Sequence, residues 1–142
     1  MTKILLIEDD ALLIRMYQKK LELDGYTVVI ATDGQSGLEL IKQEKPDLVL
    51  LDVMLPKLNG FEVLGQVKQD ETIKNTPIIL LTNLGNSEAD IQKGLELGAV
   101  AYLIKSKIVP ANVVAKVKEI LKAKGIEIIP KAVPIKMTSK VK

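Results

Sequence analysis

The chain alternates short, unbroken apolar runs with longer stretches in which apolar residues return every three or four positions. Ile4–Ile7 shows no polar alternation, the pattern of a strand covered on both faces. Thr27–Ile30, Asp47–Leu51, Pro77–Leu81 and Ala101–Ile104 read the same way. The intervening stretches read as helices. The first spans Ala11 to Leu23, with Gly25 past its end. The second spans Gln35 to Glu44, turns Leu38 and Ile41 inward, and stops at Pro46. The third opens near Gly60 and buries Val63, Leu64 and Val67. The fourth opens on Ser87-Glu88-Ala89-Asp90, a variant capping box, continues through Ile91 and Leu95, and ends at Gly98. The fifth follows Pro110, carries Val113, Val114, Val117, Ile120 and Leu121 at helical spacing, and ends at Gly125.

Strict strand–helix alternation with short crossovers predicts parallel strands joined by right-handed connections. Five such units make an α/β fold, a five-stranded doubly wound parallel sheet with helices on both faces. Folds of this kind bind ligands outside the C-terminal ends of the strands. Residues 1–125 are expected to form this domain, and residues 126–142 a basic C-terminal tail or linker stump.

Composition narrows the chemistry. The 142 residues include no cysteine and no histidine. Disulfides, thiolate metal sites, His-based triads and phosphohistidine carriers are therefore excluded. Residues 1–121 carry 14 basic and 17 acidic side chains, whereas residues 122–142 carry six lysines and one glutamate. A mildly acidic body with a short basic end is not a nucleic-acid footprint. No apolar run is long enough for a membrane span or a signal-peptide core, so a cytoplasmic location is expected.

Carboxylates, a hydroxyl and a lysine fall at the expected strand ends. Glu8, Asp9 and Asp10 follow the first strand, Asp52 the third, Thr82 the fourth and Lys105 the fifth. Each alone has an ordinary structural explanation: Asp9 or Asp10 can cap the first helix, Asp52 can shape a turn, and Lys105 can be a solvated charge. Their coincidence points further. In the strand order 2-1-3-4-5, strands one and three are neighbours about 4.8 Å apart. Glu8, Asp9 and Asp52 then converge, and crowded carboxylates resist ionisation unless a cation joins them. Hard oxygen ligands suit Mg²⁺ or Mn²⁺. Thr82 offers a hydroxyl one strand away, and Lys105 an ammonium from roughly 10 Å away. Cation, ammonium and hydroxyl around one carboxylate make a phosphoryl-binding arrangement, with Asp52 as the oxygen nucleophile.

This constellation resembles the receiver domain of two-component response regulators, over about residues 3–124. The resemblance rests on Ile4-Leu5-Leu6-Ile7-Glu8-Asp9-Asp10, on Asp52-Val53-Met54-Leu55-Pro56 with Asn59-Gly60, on Thr82, and on Tyr102 three residues before Lys105. It implies a flavodoxin-like (βα)₅ fold and a signalling switch that catalyses only its own phosphorylation and dephosphorylation. It implies that Asp52 takes a phosphoryl group from the phosphohistidine of a sensor histidine kinase or phosphotransfer protein. Asp9 would bind Mg²⁺ directly, Glu8 mainly through water, and the Met54 carbonyl would complete the ligands. Thr82 and Tyr102 would be the switch pair, Lys105 would contact the phosphoryl group, and the helix 4–strand 5–helix 5 face would bind a downstream protein target. A phosphorylation-dependent homodimer is left open.

Two residues depart from that family's usual pattern. Ser106 stands where a proline with a cis bond is usual, and Asn83 where a small residue is usual. The first puts the placement of Lys105 in question. The second introduces a side chain expected to hinder inward loop motion or partner access. Rival readings fit less well. A Mg²⁺-dependent phosphohydrolase would place its nucleophile after the first strand and carry a cap. A flavin site needs a glycine- and hydroxyl-rich loop where Glu8-Asp9-Asp10 stands. A phosphorylation-independent interaction module would not need the acidic set. A DNA-binding regulator would need a helix-turn-helix, for which this chain has no room, so a receiver fragment of such a regulator is the remaining variant. Met54 and Leu84 are expected to flank the path of water to phosphorus.

Overall fold

The computed structural model of the chain describes residues 2–83 and 87–125. Five strands alternate with five helices: β1 (Lys3–Ile7), α1 (Ala11–Leu23), β2 (Thr27–Ala31), α2 (Gly34–Glu44), β3 (Leu48–Leu51), α3 (Gly60–Lys68), β4 (Ile78–Thr82), α4 (Glu88–Glu96), β5 (Ala101–Ile104) and α5 (Pro110–Ala123). A single 3₁₀ turn, Lys105–Lys107, lies between β5 and α5. All strand pairs are parallel, and the order is β2-β1-β3-β4-β5, as expected. No helix among the described residues is long and apolar enough to cross a membrane. The expected tail, residues 126–142, and Leu84 lie outside the described residues.

The two faces of the sheet follow from the period of two along each strand. Leu5, Ile7, Val49, Leu51, Ile78 and Leu80 face one apolar layer, with Leu38 and Ile41 of α2 and Val63, Leu64 and Val67 of α3. Ile4, Leu6, Leu48, Leu50, Ile79 and Leu81 face the other, with Tyr17 and Leu21 of α1 and Val113, Val114, Val117 and Leu121 of α5. Because β1, β3 and β4 are buried on both faces, their sequences are continuously apolar rather than alternating.

Several boundaries differ from expectation by a residue, and three of them have a local reason. Asp47 precedes β3 instead of opening it, because its carboxylate accepts the Lys3 backbone N–H at 2.8 Å and clips the two strand starts together. Pro77 has no N–H to give to a ladder and stays outside β4, lending its carbonyl to the Val49 N–H at 3.0 Å. Thr82 is the last residue of β4, opposite Ile104, rather than the residue after the strand.

Helix α4 departs from its sequence pattern more plainly. Leu95 is 42% exposed, and Gly94 is the helix's buried residue. A Cβ at Gly94 would stand 2.6 Å from Leu80 Cδ1 and 3.0 Å from Tyr102 Cδ2. The helix thus leans on the sheet through its bare backbone at Gly94, and Leu95 turns outward.

Candidate functional site

The site lies at the C-terminal rim of β1, β3, β4 and β5. Strand pairing continues one residue past two of these strands. The Glu8 N–H donates to the Ala31 carbonyl at 3.0 Å, and the Asp52 N–H donates to the Ile7 carbonyl at 3.0 Å. Both acids are therefore fixed by the ladder before their side chains turn toward each other. Asp10 caps α1, its Oδ1 accepting from Leu12 N–H at 2.9 Å and Leu13 N–H at 3.1 Å. That leaves Asp9 out of the cap, settling which of the two aspartates does which. One carboxylate oxygen from each of Glu8, Asp9 and Asp52 lies within 4.8 Å of the others. Glu8 and Asp52 are buried and Asp9 is exposed.

Lys105 closes the pocket from β5. Its Nζ lies 2.9 Å from Asp52 Oδ2 and 2.5 Å from Glu8 Oε1, with all three side chains buried. The Lys105–Ser106 peptide bond is trans, as are all peptide bonds of the described residues. The departure at Ser106 therefore leaves the lysine within reach of the acids. Burial pushes the Glu8 carboxyl above the usual glutamate range, against the opposing bonds from Lys105 and the Asp10 N–H. Burial alone would push Lys105 down, but its bonds to Glu8 and Asp52 outweigh it and hold the ammonium above the ordinary lysine value. Three carboxyl groups stand against a single ammonium, which bonds Glu8 and Asp52, so the cluster has a formal excess of two acidic groups. Hard oxygen donors in that number and with that excess fit a divalent cation such as Mg²⁺.

The backbone around Asp52 is equally constrained. Asp52 Oδ1 accepts the Met54 N–H at 3.2 Å, which draws the Met54 peptide against the carboxylate. Gly60 opens α3 in close contact with this segment: a Cβ there would stand 2.4 Å from the Asp52 carbonyl oxygen, so no larger residue fits. Asn59 and Glu62 complete a reciprocal capping box at the same helix start. Thr82 is fully buried at the end of β4. Tyr102, on β5, is half-buried against Gly94. The structure thus gathers Glu8, Asp9, Asp52 and Lys105, sets the Met54 backbone against Asp52, and places Thr82 on the neighbouring strand.

Two features were not read from the sequence. Lys105, expected to contact a phosphoryl group, bonds both Glu8 and Asp52. Asn83 does not simply project as bulk, because its Oδ1 accepts the Ser106 N–H at 2.9 Å. The signal for the second was present only as two departures from one pattern.

A profile of the response regulator receiver domain matches residues 4–118. The alkaline phosphatase synthesis transcriptional regulatory protein PhoP of Bacillus subtilis is 44% identical over 120 residues, covering 84% of this chain and 48% of PhoP. The chain spans about half the length of the curated relatives it matches. Among solved structures, a CheY-like receiver domain protein of Methanospirillum hungatei is 30% identical with a TM-score of 0.80, covering 88% of this chain and 97% of that one. The manganese-bound form of the response regulator Rcp1 is 29% identical with a TM-score of 0.72, covering 94% and 100%. The matched residues take in the acidic cluster, Thr82 and Lys105, and the chain belongs to the response regulator receiver domain family.

Proposed function

We propose that Asp52 is the phosphoacceptor of a signalling switch, and that a sensor histidine kinase or phosphotransfer protein supplies the phosphoryl group. Receiver domains are signalling switches of two-component systems. The observation that carries the residue assignment is the Lys105 ammonium 2.9 Å from a buried Asp52 carboxylate, with Glu8 and Asp9 alongside. An Asp52 oxygen attacks phosphorus, the bond from phosphorus to the donor nitrogen breaks, and the imidazole leaves. Lys105 then exchanges its carboxylate partners for a phosphoryl oxygen. Glu8, Asp9, Asp52 and the Met54 carbonyl are the groups that would hold Mg²⁺ or Mn²⁺, which supplies positive charge against the transferring oxygens. The manganese-bound form of Rcp1 supports that choice of ion.

The donor must approach the rim, and apolar side chains stand exposed around it. Leu12 in the first turn of α1, Met54 after β3 and Val109 before α5 are 61%, 60% and 57% exposed. We assign them to the docking surface of the phosphoryl donor. Phosphorylation draws the Thr82 hydroxyl toward Asp52 and lets Tyr102 turn inward, altering the face of α4, β5 and α5 that a downstream protein reads.

The direct test is mass spectrometry after treatment with acetyl phosphate and Mg²⁺. A single added phosphoryl group, absent in Asp52→Asn, is expected. Modification that persists in Asp52→Asn would refute the assignment. Amide shifts along α4, β5 and α5 that stay fixed when beryllofluoride binds Asp52 would refute the switch.

A further inference from the structure

The residue after Thr82 and the residue after Lys105 are bonded to each other. Asn83 Oδ1 accepts the Ser106 backbone N–H at 2.9 Å. Ser106 is the middle residue of the 3₁₀ turn Lys105–Lys107. The first N–H groups of a helical turn have no acceptor within it, and Ile104, which precedes the turn, makes no side-chain capping bond. The acceptor comes instead from the end of the adjacent strand. Thr82 and Ile104 stand opposite each other in the β4–β5 ladder, so the two segments leave the sheet side by side.

The turn needs such an anchor. Ser106 and Lys107 are exposed and Lys105 sends its side chain into the pocket, so no apolar side chain of the turn packs it down. Yet it carries the lysine whose ammonium must enter a buried pocket 2.9 Å from Asp52. A proline at 106 would have no N–H to offer, and a small apolar residue at 83 would have no acceptor. Asparagine and serine supply the two halves of one bond.

We propose that Asn83 is a positioning residue for Lys105. Its side-chain carbonyl fixes the turn from which the lysine stem starts. Being next to Thr82 in the chain, it also joins the hydroxyl and the ammonium that meet the phosphoryl oxygens into one moving unit. Inward motion of Thr82 then carries the Lys105 turn with it. The proposal rests on Asp52 being the phosphoacceptor. Asn83 is itself exposed, so its substitution leaves the core intact.

The test uses the full chain as wild type, Asn83→Ala, Lys105→Ala and the double variant, with two readouts. The first is hydrogen exchange of the Ser106 amide in the unphosphorylated protein, which does not depend on phosphoryl chemistry. The second is the maximal rate of Asp52 phosphorylation by acetyl phosphate with Mg²⁺. Asn83→Ala is expected to speed Ser106 exchange and to lower the maximal rate about fivefold, the loss of one ordinary hydrogen bond. In the Lys105→Ala background the same substitution is expected to add nothing, because it acts through the lysine. Equal fractional losses in both backgrounds, or a wild-type rate in Asn83→Ala, would overturn the proposal. A wild-type chain that takes no phosphoryl group, with Ser106 exchange still raised in Asn83→Ala, would remove the phosphoacceptor reading and this role with it, while leaving the bond established.

Discussion

Met54 leaves the backbone beside the acceptor, with its N–H on Asp52 Oδ1 and its side chain 60% exposed. A thioether cannot orient a water for attack on phosphorus, whereas a carboxamide can. Replacing Met54 with Asn should therefore shorten the lifetime of the phosphorylated form about tenfold, a small part of what positioned proton acceptors achieve. Radiolabel loss from purified phosphoprotein would check this, and an unchanged lifetime would contradict it. Tyr26 poses a different question. Its hydroxyl is buried and has no hydrogen-bond partner among the described residues. Burial, with help from nearby Asp24, pushes the phenol up to about 12. A phenol raised in the folded state contributes stability that is complete below about pH 10 and is lost as pH climbs toward 12. Tyr26→Phe should abolish that alkaline decline and raise stability at pH 7 by about 1 kcal/mol, because an unmet buried hydroxyl is removed. Urea denaturation at pH 7 and pH 11 would read both effects. At this scale the acids and Lys105 were legible because each follows an apolar run. The Asn83–Ser106 bond was not, because it spans 23 positions and depends on the register of two strands.

Glycines separate what helices α3 and α4 do. Gly65 lies in α3 with nothing within 4 Å of the place a Cβ would occupy. Gly94 lies in α4, where a Cβ would meet Leu80 at 2.6 Å and the Tyr102 ring at 3.0 Å. Gly65→Ala should stabilise the protein by about 1 kcal/mol through helix propensity. Gly94→Ala gains the same propensity but forces α4 off β5, with a net loss of about 1–2 kcal/mol. It should also displace Tyr102, visible as amide shifts along β5. Equal responses of the two variants in urea would show that α4 does not lean on the sheet as described. The strand–helix order was legible because short unbroken apolar runs and helical spacing differ so clearly. The outward turn of Leu95 was not, because periodicity records which residues are apolar and not that a glycine has taken the contact.

Across the whole molecule, two apolar layers hold the sheet, and Glu8, Asp9, Asp52 and Lys105 gather on one rim. In that cluster the carboxyl groups outnumber the ammonium by two without an added cation. Mg²⁺ at ten times its dissociation constant should add about 1.4 kcal/mol and raise the melting temperature by about 5 °C. Asp9→Asn should lose most of that response. It should also melt about 2 °C higher than wild type in metal-free buffer, because it relieves crowding without breaking either Lys105 bond. Calorimetry with and without Mg²⁺ would decide, and a full Mg²⁺ response in Asp9→Asn would rule the acidic cluster out as the site. The crowding also bears on inheritance. Under selection for a durable fold alone, the easiest improvement on this rim is the loss of an acid, and Asp9, exposed and outside the helix cap, is the cheapest to lose. A lineage that drifted into a plain scaffold would therefore show its retirement first at Asp9, well before any change in the strands beneath.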